Sequence, residues 1–83
     1  MRLVLIDWVD SYGCSSEWQH LEGATANLMM CRSVGWLLQD TDDCKVIVPH
    51  LSDSSHPNIP QQGCGNMTIT TKAILSMQDI QSS

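Results

Sequence analysis

The sequence predicts a small, mainly β protein in which five short strands bend into a barrel accompanied by one short helix. Three observations favour this fold. Apolar and polar residues alternate with a period of two in several short segments, which is typical of half-buried strands. Gly35 stands inside one of these segments, where a glycine usually marks a sharp bend or the close approach of another backbone. The last two segments are separated only by "TTK", which predicts a very short connection.

The N-terminal segment "LVLIDWV" predicts the first strand. Val4, Ile6 and Trp8 share one face at a period of two, and the leucines between them face the other side. "DSYG" follows as a turn, because Asp, Ser and Gly are common turn formers.

The next segment, "SSEWQHLEG", predicts the short helix. Ser16 and Gln19 have the spacing of a capping box, and a glycine suits the end of the helix. Trp18 and Leu21 lie three residues apart, so we expect them to share the inward face and to cover the core.

Residues 31–39 predict the second strand, and we expect Trp36 in the core because large apolar residues at strand spacing are usually buried. The acidic segment "DTDD" predicts a tight turn. Residues 44–48 then predict the third strand, and Pro49 ends its regular pairing because proline lacks a backbone N–H.

The longest polar stretch, residues 52–65, predicts a loop, and loops of this length are usually functional or disordered. Residues 67–71 and 74–80 predict the fourth and fifth strands. With 83 residues, the chain 1–83 is expected to be a single domain.

The charge of the chain limits the classes of molecule that it is expected to bind. The chain has 4 basic and 9 acidic residues and a net charge of −5. Long nucleic acid is therefore a poor partner, since its binding depends on neutralising phosphates with Lys and Arg. A small ligand with one or two phosphates is compatible with this charge, because one Lys and a few N–H groups can hold it.

The apolar run at the N-terminus stops at Asp7, which is too early for an export signal or a membrane span. We therefore expect a cytoplasmic protein with no membrane partner. The 4 cysteines are then expected to be thiols, with a disulfide framework as the alternative.

Two stretches resemble the Sm-like and SH3-like small barrels. "SVGWLLQDTDDCKVIV" is similar to their second and third strands, and "MTITTKAILSMQDI" is similar to their fourth and fifth strands. The resemblance implies the barrel fold. RNA binding as in the Sm-like group stays a third possibility that a steep salt dependence would reveal, although the Asn and Arg or His residues that hold RNA bases in that group are absent from the matching turns.

The chain also resembles small proteins of tailed phages that carry a Trp and an Asp near the N-terminus and an "SVGWL" segment near the middle. Here these are Trp8, Asp10 and residues 33–37. The resemblance implies interference with host defence. One class of such proteins sequesters cyclic nucleotides or cyclic ADP-ribose signals without cleaving them.

Aromatic and hydroxyl side chains near strand ends are the candidate ligand-binding residues. Trp8 and Tyr12 are expected to stack a base, worth about 1–3 kcal/mol per base. Asp10 and Ser11 are expected to bind its polar edges. The alternative for this segment is an ordinary turn capped by Asp10, with Trp8 in the core.

A second group of candidates, Thr70, Thr71 and Lys72, is expected to meet phosphate through backbone N–H groups, hydroxyls and one ammonium. Exposed threonines on a strand are the plainer interpretation. No metal site and no cofactor are expected, because no paired Cys-x-x-Cys ligands occur. No catalytic motif is present either, so we expect no enzyme activity.

These observations predict a phage anti-defence protein that assembles as a homo-oligomer in the host cytoplasm. It is expected to sequester a small cyclic nucleotide or cyclic ADP-ribose type signal, without cleaving it, between protomers. The alternative is an acidic interaction protein that inhibits a host enzyme by masking its surface, for which Asp40, Asp42 and Asp43 are the candidate contacts.

Overall fold

A computed structural model describes residues 1–11, 18, 20–23, 28–53 and 57–80. These residues contain seven strands: β1 (Leu3–Ser11), β2 (Leu28–Asp40), β3 (Cys44–Val48), β4 (His50–Leu51), β5 (Gly63–Cys64), β6 (Met67–Thr70) and β7 (Ile74–Asp79). The helical structure that they contain consists of two 3-10 turns, Leu21–Gly23 and Thr71–Ala73. The prediction of a mainly β protein is confirmed.

Five strands form one antiparallel sheet in the order β6-β3-β2-β1-β7, and β4 pairs with β5 in a separate two-stranded ribbon. The Thr71–Ala73 turn joins the two edge strands, as the short "TTK" connection predicted. Within the described ranges β6 and β7 are not paired with each other, so the sheet has two open edges.

The long strand β2 pairs with different neighbours along its length. Its residues 28–36 pair with β1 and its residues 36–40 pair with β3. Gly35 lies where these partners change, and a Cβ atom built there would be only 3.2 Å from the backbone N and O of Val48. The predicted close approach of another backbone at this glycine is confirmed, because an added Cβ would come unusually close to β3.

The main core cluster lies on one face of the sheet. Its buried residues are Val4, Ile6, Leu37, Ile47 and Ile69, and Trp8, Ala73, Ile74 and Met77 pack against them. Val48 is buried too, but it lies opposite Trp36 on the other face, next to Gly63 of β5. The placement of Trp36 in the core was wrong. Trp36 lies opposite Leu3 on the other face and is only half-buried, while the neighbouring Leu37 is buried. A strand alternates faces at every residue, so burial of Leu37 turns Trp36 away from the core.

The expectation that Trp18 and Leu21 face inward and cover the core was also wrong. Trp18 and Leu21 are exposed, and the Leu21–Gly23 turn has no buried residue. Ser16 and Gln19, which supplied the capping signal, lie outside the described residues. A single 3-10 turn satisfies few hydrogen bonds and buries no apolar face here, so it cannot form the predicted core lid.

The β2–β3 turn is built as the acidic segment predicted. The Thr41 hydroxyl accepts a hydrogen bond from the Cys44 N–H at 3.1 Å, and Lys45 forms an ion pair with Asp40. Beyond Pro49, the predicted long loop begins and ends in the β4–β5 ribbon. Sequence reasoning missed this ribbon, because each of its strands is only two residues long. In the part of the chain that the structure describes, neither helical turn is long and apolar enough to cross a membrane.

Candidate ligand-binding site

Trp8 points to the side of the sheet that carries the main core cluster. It lies opposite Cys31 of β2 and Ile74 of β7 and is half-buried against the core. Its indole N–H donates a hydrogen bond to Ser33 Oγ at 3.0 Å. The polar end of the indole is therefore already used within the protein, and only the remaining exposed part of the ring is free to stack on a ligand.

Asp10 and Ser11 lie further along β1, opposite Met29 and Leu28. Both are exposed, and Asp10 Oδ1 accepts a hydrogen bond from the Ser11 N–H at 2.8 Å. They follow Trp8 by two and three residues, so they lie about 7–10 Å beyond it. Tyr12, the other expected stacking residue, lies outside the described residues.

The Thr71–Ala73 turn is fixed to the acidic β2–β3 turn. The Thr71 N–H donates to the Asp43 carbonyl at 2.9 Å, and Thr70 Oγ1 donates to the same carbonyl at 3.4 Å. Thr71 Oγ1 is buried and has no hydrogen-bond partner among the described residues. The turn is therefore well positioned, although two of its expected phosphate-binding groups already bind the neighbouring backbone.

Lys72 at the centre of this turn is exposed and unpaired within the described ranges. The other three basic side chains of the chain form ion pairs: Arg2 with Asp79, Arg32 with Asp7 and Lys45 with Asp40. Among the residues that the structure describes, Lys72 makes no such pair. It is therefore the cationic side chain that an anionic ligand reaches without breaking an existing ion pair.

The structure brings together only part of the predicted set. Ile74, the partner of Trp8, directly follows the Thr71–Ala73 turn, so Trp8 and Lys72 belong to neighbouring segments. Asp10 and Ser11 lie past the start of β7 and have no β7 residue beside them. A ring and a cation therefore lie on neighbouring segments of the fold, and Asp10 and Ser11 lie further along β1.

A polar cluster that sequence reasoning missed lies on the other face of the sheet. Arg32 Nε donates to Asp7 Oδ1 at 2.8 Å, and Ser76 Oγ donates to Asp7 Oδ2 at 3.2 Å. The hydrogen bond from Arg32 lowers the pKa of Asp7, and the same bond raises the pKa of Arg32. Only the strand register places these side chains together, so no spacing in the sequence could reveal the cluster.

An open cleft of about 480 Å³ adjoins this cluster. It is lined by Asp7, Met30, Cys31, Arg32, Leu75 and Ser76. Leu75 is the extra residue where the β1–β7 register shifts, and it is exposed beside the cluster. Asp7, Arg32, Met30 and Ser76 belong to the face of the sheet away from Trp8, whereas Cys31 lies opposite Trp8.

Cys31, Cys44 and Cys64 are free thiols, and Cys14 lies outside the described residues. No group of three or more His, Cys, Asp or Glu side chains suited to a metal ion occurs within residues 1–11, 18, 20–23, 28–53 and 57–80. Comparison of the chain with protein-family models, with curated proteins and with solved structures finds no match.

Proposed function

We propose that this chain binds a small, phosphate-bearing nucleotide-like ligand and sequesters it without cleaving it. The observation that carries the proposal is the exposed ammonium of Lys72, unpaired within the described chain, on a turn held in place by hydrogen bonds. A cation without a carboxylate partner attracts an anion at little cost, because no ion pair has to be broken first.

The ring of Trp8 supports a nucleotide-like ligand over a simple inorganic anion. Its strand partner, Ile74, directly follows the Thr71–Ala73 turn, and part of the half-buried ring is accessible. A nucleobase that stacks on this ring is expected to contribute about 1–3 kcal/mol. Asp10 and Ser11 would meet the polar edges of a ligand large enough to extend along β1.

The proposal includes a small bent barrel of the Sm-like or SH3-like kind. Its support is the strand order β6-β3-β2-β1-β7, the change of partners along β2, and the single turn that joins the edge strands. The open edges favour assembly into a homo-oligomer, since unpaired edge strands readily add another chain. Ligand is then held between protomers, which suits a core too small to enclose a cleft of its own.

The biological setting is proposed from the resemblance to small phage proteins. In that setting the ligand is a cyclic nucleotide or a cyclic ADP-ribose type signal of a host defence system, and the protein acts in the host cytoplasm. Sequestration alone removes such a signal, so the proposal requires no catalytic residue, metal or cofactor.

A ligand panel tests this function. Cyclic dinucleotides, cyclic trinucleotides and cyclic ADP-ribose isomers are added singly to the purified chain, and thermal unfolding is followed. A compound present at 100 times its Kd is expected to stabilise the fold by about 2.7 kcal/mol. The bound compound is then released by heating and examined by mass spectrometry. Intact ligand supports sequestration, and a cleaved product contradicts it.

Charge variants locate the site. Lys72→Gln is expected to weaken ligand binding about tenfold or more, because it removes one charge-assisted hydrogen bond. Arg2→Gln is the matched control, because it removes the same charge from an exposed ion pair elsewhere. Equal affinity of Lys72→Gln and the wild type in titration calorimetry would contradict the site at this turn.

The alternative, inhibition of a host enzyme by surface masking, is favoured by the exposed Asp42 and Asp43 at the β2–β3 turn. The carbonyl of Asp43 binds Thr70 and Thr71, so these acids lie beside the proposed phosphate site. Their charge opposes an anionic ligand but suits a basic protein surface.

The double variant Asp42→Asn and Asp43→Asn separates the two functions, because each predicts a change of opposite sign. A phosphate-bearing ligand of the panel is expected to bind the variant more tightly, as like-charge repulsion is removed. A host enzyme masked through an acidic turn would bind the variant more weakly in a pull-down. Ligand affinity that falls in the variant contradicts the proposed phosphate site.

A further inference from the structure

The face of the β7-β1-β2 sheet that points away from the core is largely apolar. We call it the outer face. Residues directly opposite each other in an antiparallel pair point to the same side, so the register defines this face. Its members are Leu3, Leu5, Asp7, Val9, Met30, Arg32, Val34 and Trp36, with Ser76 and Gln78 from β7.

Several of these apolar side chains are open to solvent. Val34 is 50% exposed and Met30 is 68% exposed, and Leu75 of the adjoining cleft is also exposed. Leu3, Leu5 and Val9 are only half-buried. Monomeric soluble proteins rarely carry a continuous apolar surface of this kind, which more often marks an interaction site.

One ion pair stands in the middle of the outer face. Asp7 and Arg32 lie directly opposite each other in the β1–β2 register, between the pairs Leu5–Val34 and Val9–Met30. Arg32 uses Nε to bind Asp7, and within the described chain its two terminal nitrogens are not engaged. The face therefore has no net charge but offers both an acceptor and unused donors.

This pattern is complementary to itself. In a two-fold arrangement each copy presents the same face, so residue i contacts residue j and residue j contacts residue i. Two such faces stacked about the Asp7–Arg32 pair bring the free nitrogens of Arg32 to Asp7 of the other copy, and leucines, valines and Trp36 surround these contacts. Protein interfaces are also typically enriched in Arg and depleted in Lys and Glu, as this face is.

We propose that the outer face is the dimer interface of this protein, and that Arg32 of each copy forms an ion pair with Asp7 of the other. The partner that covers the outer face is a second copy of the chain, because the charge pattern of this face is neutral and self-complementary. An anionic bilayer suits it poorly, since Arg32, the basic member of the face as defined, is already paired and the chain carries a charge of −5.

The inference shares with the proposed function only the expectation of self-association, and it assigns a different surface. The edges β6 and β7 join copies side by side, whereas the outer face joins them sheet to sheet. Neither Lys72 nor Trp8 contributes to the outer face, so ligand binding and dimerisation can be tested separately.

Charge reversal provides the test. Asp7→Arg and Arg32→Asp are each purified, checked for folding by near-ultraviolet circular dichroism, and studied by sedimentation velocity. The wild type is expected to dimerise. Each single variant is expected to weaken self-association at least tenfold, because like charges then face each other across the two-fold axis. An equimolar mixture is expected to form a heterodimer, since every cross-copy pair is again of opposite sign.

A wild type that stays monomeric at every concentration overturns the interface, and so does a mixture that fails to associate although both variants are folded. If the variants do not fold, Val34→Lys decides, with Ile59→Lys as the matched control because Ile59 is similarly exposed but lies in the 52–65 loop. Val34→Lys is expected to lose the dimer and Ile59→Lys to keep it, and equal behaviour of the two overturns the proposal. A stable dimer that binds no compound of the panel contradicts the proposed ligand but leaves the interface standing.

Discussion

The two halves of strand β2 both contain apolar residues but have different surroundings. In the C-terminal half, Gly35 and Leu37 are buried where the strand pairs with β3 and contacts the core, and only the last three residues are exposed again. At the N-terminal end, Leu28, Met29 and Met30 are all exposed, although they pair with β1 as regularly as the rest of the strand. Regular hydrogen bonding therefore extends further than packing does.

The difference shows that strand pairing in this chain does not require burial of the paired side chains. The β1–β2 ribbon continues past the start of β7, so among the described residues no layer covers either face of its far end. Apolar residues placed there contribute little to the stability of a single copy. They become stabilising only when another molecule covers them, which is the role that the proposed dimer gives to Met30.

The largest expected effect contrasts core truncation with truncation at the exposed end. Ile47→Ala leaves a cavity in the buried cluster and is expected to lower the free energy of unfolding by about 2–5 kcal/mol. Leu28→Ala, at an exposed position, is expected to change it by less than about 0.5 kcal/mol. Urea unfolding monitored by tryptophan fluorescence measures both. Similar losses would show that the far end is packed after all.

A smaller effect is expected for the glycine at the change of strand partners. Gly35→Ala places a Cβ 3.1 Å from Ile47 Cβ and 3.2 Å from the Val48 backbone, which cannot move without disturbing β3. We expect a loss of about 1–3 kcal/mol in the same urea experiment, the usual cost of overpacking. Gly23→Ala is the control, because nothing lies within 4 Å of its added Cβ. An unchanged midpoint for Gly35→Ala would refute the close approach.

Removing the unpartnered hydroxyl of Thr71 is expected to stabilise the fold modestly. Thr71→Val keeps the shape of the side chain and deletes a buried polar atom that has no hydrogen-bond partner in the described chain. The expected gain is about 1 kcal/mol, since an unsatisfied buried group costs roughly this much or more. Thr70→Val is a useful comparison, because its hydroxyl binds the Asp43 carbonyl. A clear loss of stability in Thr71→Val would mean that the hydroxyl has a partner in solution.

The smallest expected effect concerns the acid end of the pH range. Arg32 lowers the pKa of Asp7 in the folded chain, so the stabilising effect of this interaction is complete above the unfolded value of about 3.9. It is lost as the pH falls through the lower folded value. Asp7→Asn is therefore expected to show a shallower decrease of the free energy of unfolding with falling pH. Parallel curves for the variant and the wild type would contradict the lowered pKa.

Most of the sheet was predictable because its signals are local. The third strand was placed at residues 44–48, as found, and the turn before it follows from its acidic composition. The close approach at Gly35 was predictable because an isolated glycine inside a strand usually marks a bend or a neighbouring backbone. The strand ends at Ser11 and Leu28 were less accessible, since continued pairing there is not required by burial.

The errors have a common cause, which is that a face cannot be assigned from one strand alone. In residues 34–38 both alternate sets contain large apolar residues, so periodicity could not decide whether Trp36 or Leu37 is buried. The packing of β3 against Gly35 decides it. For Trp18 and Leu21, the spacing of a helix was present, but both side chains are exposed and cover no sheet surface in the described chain.

The candidate site was predictable only in its residue types. Hydroxyls and a lysine in "TITTK" suggested an anion site. That Lys72 is the cation available to an anion follows only from the ion pairs of the other basic side chains, and the sequence does not show those pairs. The same holds for Asp7 and Arg32, which are 25 residues apart in the chain and meet only through the register.

The base of the 52–65 loop has a practical consequence. The Ser52 N–H donates to the Gln62 carbonyl at 2.8 Å, and the Gln62 N–H donates to Ser52 Oγ at 2.7 Å, directly beside the β4–β5 ribbon. These two hydrogen bonds therefore close the base of the loop. Because lengthening an already closed loop costs little entropy, we expect an epitope tag or fluorophore-bearing peptide spliced between these two residues to leave the five-stranded sheet paired.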